Sequence, residues 1–191
     1  EQAAPEAEAE CHHSGPLSVP LRPPRLTTAI LSNDSKNWSG AYLNDQQISS
    51  EAGGFTAICT YLENIFGDVR YRTYNSTTGW TGWAVGGQQT SFDGNAWYPV
   101  EAIQYRFAGP VYDQYDIYYC AQLSDGTETG WGKNGETVGT MNTGLHLTGF
   151  RLAFFAKNTA TGLNASNALV SAHADGIQYV DGQMRYIHGN G

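Results

Sequence analysis

The side chains best placed for chemistry in this 191-residue chain are aromatic rings on turn-rich segments, next to short polar groups. Trp97 and Tyr98 follow Asn95 in DGNAWYP, and Tyr112 and Tyr115 flank Asp113 in VYDQY. Glycine, proline, asparagine and aspartate mark such stretches as surface turns, where core packing gives no reason for a tryptophan. A flat ring stacks on the face of a sugar, and amides and carboxylates reach its hydroxyls through directed hydrogen bonds. Trp97, Tyr98, Asn95, Tyr112, Tyr115 and Asp113 are therefore the expected ligand-binding residues. The combination needs no charge, so the expected ligand is a neutral polysaccharide or other glycan.

Catalytic chemistry has less to work with. Acid–base hydrolysis requires two carboxylates across a cleft. Glu101 is a candidate, but it sits in a repeated pattern whose second copy carries Thr148, and Asp93, Asp113 and Glu128 lie near turns, where acids are common. The chain shows no nucleophile elbow and no phosphate-cradling loop. The run Cys11-His12-His13 lacks zinc-ligand spacing, His146, His173 and His188 are scattered, and SDGTE and VDGQ are too short for a calcium loop. The expectation is a non-enzymatic protein with no cofactor and no metal.

Composition narrows the partners. A net charge of −8 argues against nucleic acid, whose binders cluster Lys and Arg to displace counterions. No apolar run approaches the roughly 18 residues that cross a bilayer, so no membrane insertion is expected. Charged residues make up only 15%, against abundant Gly, Thr, Ser, Asn and Tyr, a texture of extracellular β proteins. The opening EQAAPEAEAE in place of a methionine leads to the expectation of a processed chain, secreted or at the cell surface. The sequons at Asn33, Asn37, Asn75 and Asn164 are candidate glycosylation sites in that setting.

The elements that would position these residues are short strands. Runs such as VRYRTYN, VEAIQYRF, DIYYCAQL and LTGFRLAFF alternate apolar and polar residues between Gly, Asn and Asp breaks. They also repeat. Tyr71 and Tyr119, Trp83 and Trp131, and Gly87 and Gly135 each stand 48 residues apart, and Ala102-Ile103 matches Gly149-Phe150. Tyr42 and Ala57-Ile58 look like the second half of such a unit, and Tyr179 in YVDG like the first half of another.

The expected organisation is an extended Pro-rich arm over 1–36 and one β domain over 37–191. Within the domain come a half repeat (37–67), full repeats (68–114 and 115–160) and a second half repeat (161–191). The fold expected is all-β: a closed, pseudo-threefold β-prism or β-trefoil-like body of three repeats of about 48 residues, the two halves completing the third. Closure removes the exposed sheet edges that invite aggregation. Recurring aromatics are expected to serve the shared core, and Gly87 and Gly135 to be turn residues with positive φ.

The repeat segments resemble the clostridial hydrophobic repeat with conserved tryptophan, the ChW repeat. That pattern reads Tyr-x-x-His-x-Gln-x-x-Gly-Trp-x-x-Trp, then a glycine, a Gly-Thr turn and a Glu-Ala-Ile strand. Tyr71, Gly79, Trp80, Trp83, Gly87, Glu101, Ala102 and Ile103 fall in its register; the second copy keeps Tyr119, Gly126, Trp131, Gly135, Gly139-Thr140 and Gly149-Phe150. Tyr74 and Gln122 replace its histidine, and Thr127 its first tryptophan. The resemblance implies a secreted or surface protein with a role in carbohydrate or cell-wall binding and adhesion, and it implies no catalytic residue.

Cys11, Cys59 and Cys120 are disulfide candidates in odd number. Cys59 aligns with Gln104 and Arg151, and Cys120 with Arg72, so both take positions that are polar and outward in the sibling units. Cys11 bonding to either would pin the arm to the body; Cys59 bonding to Cys120 would leave Cys11 free. Two functions follow as expectations. One is lectin-like glycan recognition by the loop aromatics. The other is a structural surface or filament subunit, with copies of the chain joined through residues 1–36.

Overall fold

The computed structural model describes residues 23–32, 42–43, 47–50, 52–90, 98–171, 176–180 and 183–187. The described chain is all-β apart from one short helix. In order come β1 (Arg25–Ser32), β2 (Tyr42–Leu43), β3 (Gln47–Ser49), β4 (Phe55–Glu63), β5 (Asp68–Asn75), β6 (Gly79–Trp80), β7 (Ala84–Val85) and β8 (Ala102–Ala108). The helix α1 (Pro110–Gln114) follows, then β9 (Tyr115–Leu123), β10 (Gly132–Lys133), β11 (Val138–Met141), β12 (Leu147–Ala156), β13 (Leu169–Ser171), β14 (Gly176–Val180) and β15 (Gln183–Ile187).

Four sheets result, with strand orders β2-β1-β4, β10-β9-β12-β3, β13-β11-β8-β5-β6 and β14-β15. No sheet among the described strands closes on itself, so the body is not a continuous barrel.

Strict alternation explains the long strands. In β5, Val69, Tyr71, Thr73 and Asn75 are buried while Arg70, Arg72 and Tyr74 are half-exposed. Side chains two apart share a face, so one face enters the core and the other carries charge. The core gathers Ile30, Phe55, Ile58, Tyr71, Ile103, Tyr105, Ile117, Tyr119 and Phe150. Its centre is an aromatic stack: Tyr71 lies 5.4 Å from Tyr105, Tyr105 5.6 Å from Tyr119, and Phe150 5.6 Å from Phe55.

Buried tyrosines need partners for their hydroxyls. The Tyr71 hydroxyl donates to the Gln88 carbonyl, Tyr119 to the Glu136 carbonyl, and Tyr105 shares a 2.9 Å bond with the Thr60 hydroxyl. Thr60 continues to Thr28 at 3.0 Å, so polar contact runs from β8 through β4 to β1.

The 48-residue spacing appears as duplicated geometry. Tyr71 faces Ala84 as Tyr119 faces Gly132, and Arg70 faces Val85 as Tyr118 faces Lys133. The Thr73 amide binds the Thr81 hydroxyl at 3.1 Å, and Ala121 binds Thr129 at 2.9 Å. Gly87 and Gly135 close the matching turns at φ 83° and 94°, a backbone state that glycine enters without steric cost. The repeated tryptophans do not enter the core. Ala84 points inward beside Tyr71, which turns its neighbour Trp83 to the half-exposed side, and Trp131 is half-exposed likewise.

The N-terminal region departs from expectation. Arg25–Ser32, placed by the sequence in the arm of residues 1–36, is a core strand with Leu26, Ile30 and Leu31 buried. It pairs with β4, Ile30 opposite Ile58, as Thr73 in β5 stands opposite Ile103 in β8. Thr28 faces Tyr42 in β2, as Tyr71 faces Ala84. The β1/β4 pair thus matches the β5/β8 pair in register, with its first strand drawn from the expected arm. The C-terminal segment adds β13 in parallel to β11, Leu169 opposite Gly139, and then makes a ladder of its own, Tyr179 of β14 pairing with Met184 of β15. Prolines on both sides of Arg22 mask the alternation of RLTTAILS in the sequence.

Candidate functional site

The outer face of β5 and β8 is built by the alternation that fills the core. With Tyr71 and Tyr105 inward, Arg70 and Arg72 on β5 and Gln104 and Arg106 on β8 project to the other side, Arg70 opposite Arg106 and Arg72 opposite Gln104. The short strands β6 and β7 fold the two tryptophans over this face. The Arg72 guanidinium lies 4.7 Å from the Trp80 ring and 4.6 Å from Trp83, and Arg106 lies 4.0 Å from Trp83. Tyr74 extends the stack, 5.3 Å from Trp80.

Arg72 also donates to Gln104 at 2.7 Å, and Gln104 to the Thr137 hydroxyl at 2.8 Å. Burial and the neighbouring Arg106 charge hold the Arg72 pKa below the usual arginine value. A guanidinium stacked on indoles is fixed in place rather than sampling rotamers. The sibling unit has a reduced version, with Arg151 5.4 Å from Trp131.

Beside this face opens a cleft of about 480 Å³ lined by Arg70, Arg106, Phe107, Ala108, Gly109, Tyr112 and Asn134. Tyr112 stands on α1, which a Pro110 start and a buried Val111 hold against the sheet. Its ring is half-exposed, with the Lys157 ammonium 4.4 Å from its centroid. Asn134 is already engaged: its side-chain oxygen accepts from the Ile117 amide at 3.0 Å and its nitrogen donates to Asp116 at 2.8 Å.

Of the other residues expected at a ligand site, Tyr98, Tyr115 and Asp113 do not line this cleft. Tyr98, 41% exposed, lines a separate hollow of about 180 Å³ with Asn75, Thr77, Glu101 and His146. Tyr115 lines a third, apolar groove with Pro23, Pro24, Ile65 and Phe66, its ring edge-on to Phe154. Asp113 is exposed on α1. Asn95 and Trp97 lie outside the described residues, as do Cys11, Asn33 and Asn37. Glu101 is buried, and its carboxylate accepts the Ser76 amide at the turn after β5.

Cys59 and Cys120 are free thiols, which removes the pairing between them. Cys120 lies on the outer face of β9, opposite Arg151 in the β9/β12 ladder, but is covered there and only 1% exposed. Burial, with Glu128 nearby, pushes its pKa up to about 11. Of the sequons, Asn75 is 3% exposed with its side-chain oxygen accepting from the Thr77 and Thr78 amides, while Asn164 is exposed.

Sequence reasoning passed over Arg70, Arg72 and Arg106. The available signal was the Arg-Tyr-Arg spacing in β5, which sets two of the chain's ten cations on one face of a strand. Compared with family models, characterised proteins and solved structures, the chain finds no match.

Proposed function

We propose that the chain is a secreted or cell-surface recognition module, without enzymatic activity, that binds glycans through the Tyr112 cleft and the tryptophan–arginine face beside it. Its body is a pseudo-threefold array of ChW-like units whose long strand pairs are β1/β4, β5/β8 and β9/β12.

The array reading is supported by contacts that recur between successive units. The Val100 amide donates to the Phe55 carbonyl and the Leu147 amide to the Val100 carbonyl, both at 2.8 Å. Gly87 donates to Thr60 as Gly135 donates to Tyr105. β11 pairs with β8 of the preceding unit, Val138 opposite Ile103, and β3 of the first unit pairs with β12 of the last, Ile48 opposite Phe150.

One observation carries the recognition reading: the half-exposed Tyr112 ring at the cleft that holds Arg70 and Arg106. An aromatic platform next to convergent hydrogen-bond donors suits a sugar ring carrying acceptors. The chain's polar composition, with only 15% charged residues, and the ChW resemblance agree with a saccharide partner. Binding of the full chain to a glycan array, compared with Tyr112→Ala, tests it. Selective binding that the substitution abolishes is the expected result, since an exposed ring can be removed at small cost to the fold. An array bound equally by both proteins, or by neither, overturns the assignment.

A further inference from the structure

We infer that the cleft between β5, β8 and α1 is an anion subsite, and that the saccharide it takes bears a carboxylate, as a uronic or sialic acid does. The inference rests on the recognition reading above and names its ligand class.

Three observations carry it. First, Arg70 and Arg106 are directly opposite each other in the antiparallel ladder. Opposed residues hold their Cβ atoms about 5 Å apart, and like charges there destabilise the pair unless something neutralises them. Second, this happens in a chain with 18 acidic and 10 basic residues. Arg25, Lys133 and Lys157 each sit within 3.3 Å of a carboxylate, whereas Arg72 and Arg106 have none within ion-pair distance among the described residues. Arg70 reaches only the half-exposed Asp68, at 3.9 Å, and its Nε is buried without a hydrogen-bond partner. A buried donor without a partner costs roughly 1–3 kcal/mol, so the protein itself leaves this guanidinium short of acceptors, while its side chain stays 39% exposed.

Third, the cleft offers charged donors while its amide is used up. Asn134 spends both side-chain atoms on Ile117 and Asp116. The charged groups lining the cleft are the two guanidiniums, which match the planar fork of a carboxylate. Stacking on Trp83 holds Arg106 ready for it. Tyr112, on the same wall, provides the face for the sugar ring that carries the acid.

The experiment is a titration of the full-length, ¹⁵N-labelled protein, followed at the arginine Nε–Hε and tyrosine ring signals. The probes are galacturonate, glucuronate and N-acetylneuraminate, with galactose and inorganic sulfate as controls at constant ionic strength. At least one acidic sugar should shift Arg70, Arg106 and Tyr112 signals saturably, with galactose leaving the arginines unmoved. Arg106→Gln and Arg70→Gln should each weaken that binding roughly tenfold or more, the loss of one charge-assisted contact.

Three outcomes overturn the inference: no acidic sugar saturating the arginine shifts, galactose acting as well as the acids, or both glutamine variants binding unchanged. Sulfate matching the acids while the Tyr112 ring stays silent makes the ligand a free oxyanion and overturns the saccharide. The two readings fail separately. A glycan array showing neutral ligands that need Tyr112 but not Arg106 keeps recognition and removes the anion subsite. Arginine shifts with acidic sugars, alongside an array indifferent to Tyr112→Ala, remove the recognition site and keep the subsite.

Discussion

Tyr71 and Tyr119, 48 residues apart in sequence, occupy the same place in their units: each is fully buried, and each hydroxyl donates to a backbone carbonyl 17 residues further on. Burial raises the pKa of both hydroxyls well above the ordinary tyrosine value, so they remain neutral donors at any working pH. Tyr71→Phe and Tyr119→Phe each leave a carbonyl without its partner at unchanged ring volume. Each substitution should cost about 1–2 kcal/mol in urea unfolding, the two losses being alike. A loss confined to one of them would show that the units are not energetically equivalent.

Cys120 tests the burial of the β9 outer face. Its thiol titrates near 11 in the fold against an ordinary value of 9, raised first by burial and then by the Glu128 charge. Native protein at pH 8 should therefore protect Cys120 from alkylation, and denaturant should expose it. The sign of the linkage follows. An acid whose folded pKa is raised contributes stability that is complete below pH 9 and lost as pH climbs toward 11. Cys120→Ala should flatten that alkaline decline in a pH series of unfolding curves.

Asp116 should dominate acid sensitivity locally. Burial pushes its pKa up, but the Lys157 ammonium at 2.6 Å, the Asn134 amide at 2.8 Å and Lys133 outweigh this and lower it overall. A depressed carboxylate contributes stability above its unfolded pKa of about 3.9, and the contribution disappears as pH falls below that value. Asp116→Asn should cost about 1.5–3 kcal/mol at pH 7, the range for hydrogen bonds to a charged group. It should cost much less at pH 2. Equal losses at both pH values would mean that the charge is not what stabilises the site.

The sequons differ in what the fold leaves free. In a glycosylating host, intact mass and glycopeptide mapping should find Asn164 occupied and Asn75 bare. The Asn75 side chain is committed to Thr77 and Thr78 in the turn after β5. A glycan on Asn75 in folded protein would contradict that turn.

Much of this fold could be read from the chain, because alternation is written locally. VRYRTYN and DIYYCAQL declare their strands, and the Tyr71/Tyr119 and Gly87/Gly135 spacings declare a duplicated unit with a duplicated turn. What stayed hidden depends on register. Nothing in the sequence says that Arg70 meets Arg106, because that pairing is set by the hydrogen-bond ladder between strands 36 residues apart at that point. Nor does it say which face a repeated tryptophan takes. Trp83 could have filled the core; a small inward Ala84 beside Tyr71 turned it out to the arginines. β1 was hidden for a chemical reason: Pro20, Pro23 and Pro24 give its flank the look of an arm, although RLTTAILS itself has none. Nor could the sequence say that Tyr98, Tyr112 and Tyr115 line three separate hollows, because sharing a residue type does not make residues neighbours.

The pairing of β3 with β12 has a consequence for biosynthesis. Gln47 meets Arg151 across that ladder, so an early strand waits for a late one to leave the ribosome. At ordinary elongation rates the interval is on the order of ten seconds. Throughout it, the Gln47–Ser49 edge is an unclaimed template in a crowded compartment. Exposed Gln47 and Ser49 on either side of the buried Ile48 keep that edge short and polar while it waits, so the nascent chain needs little shielding before its last long strand arrives.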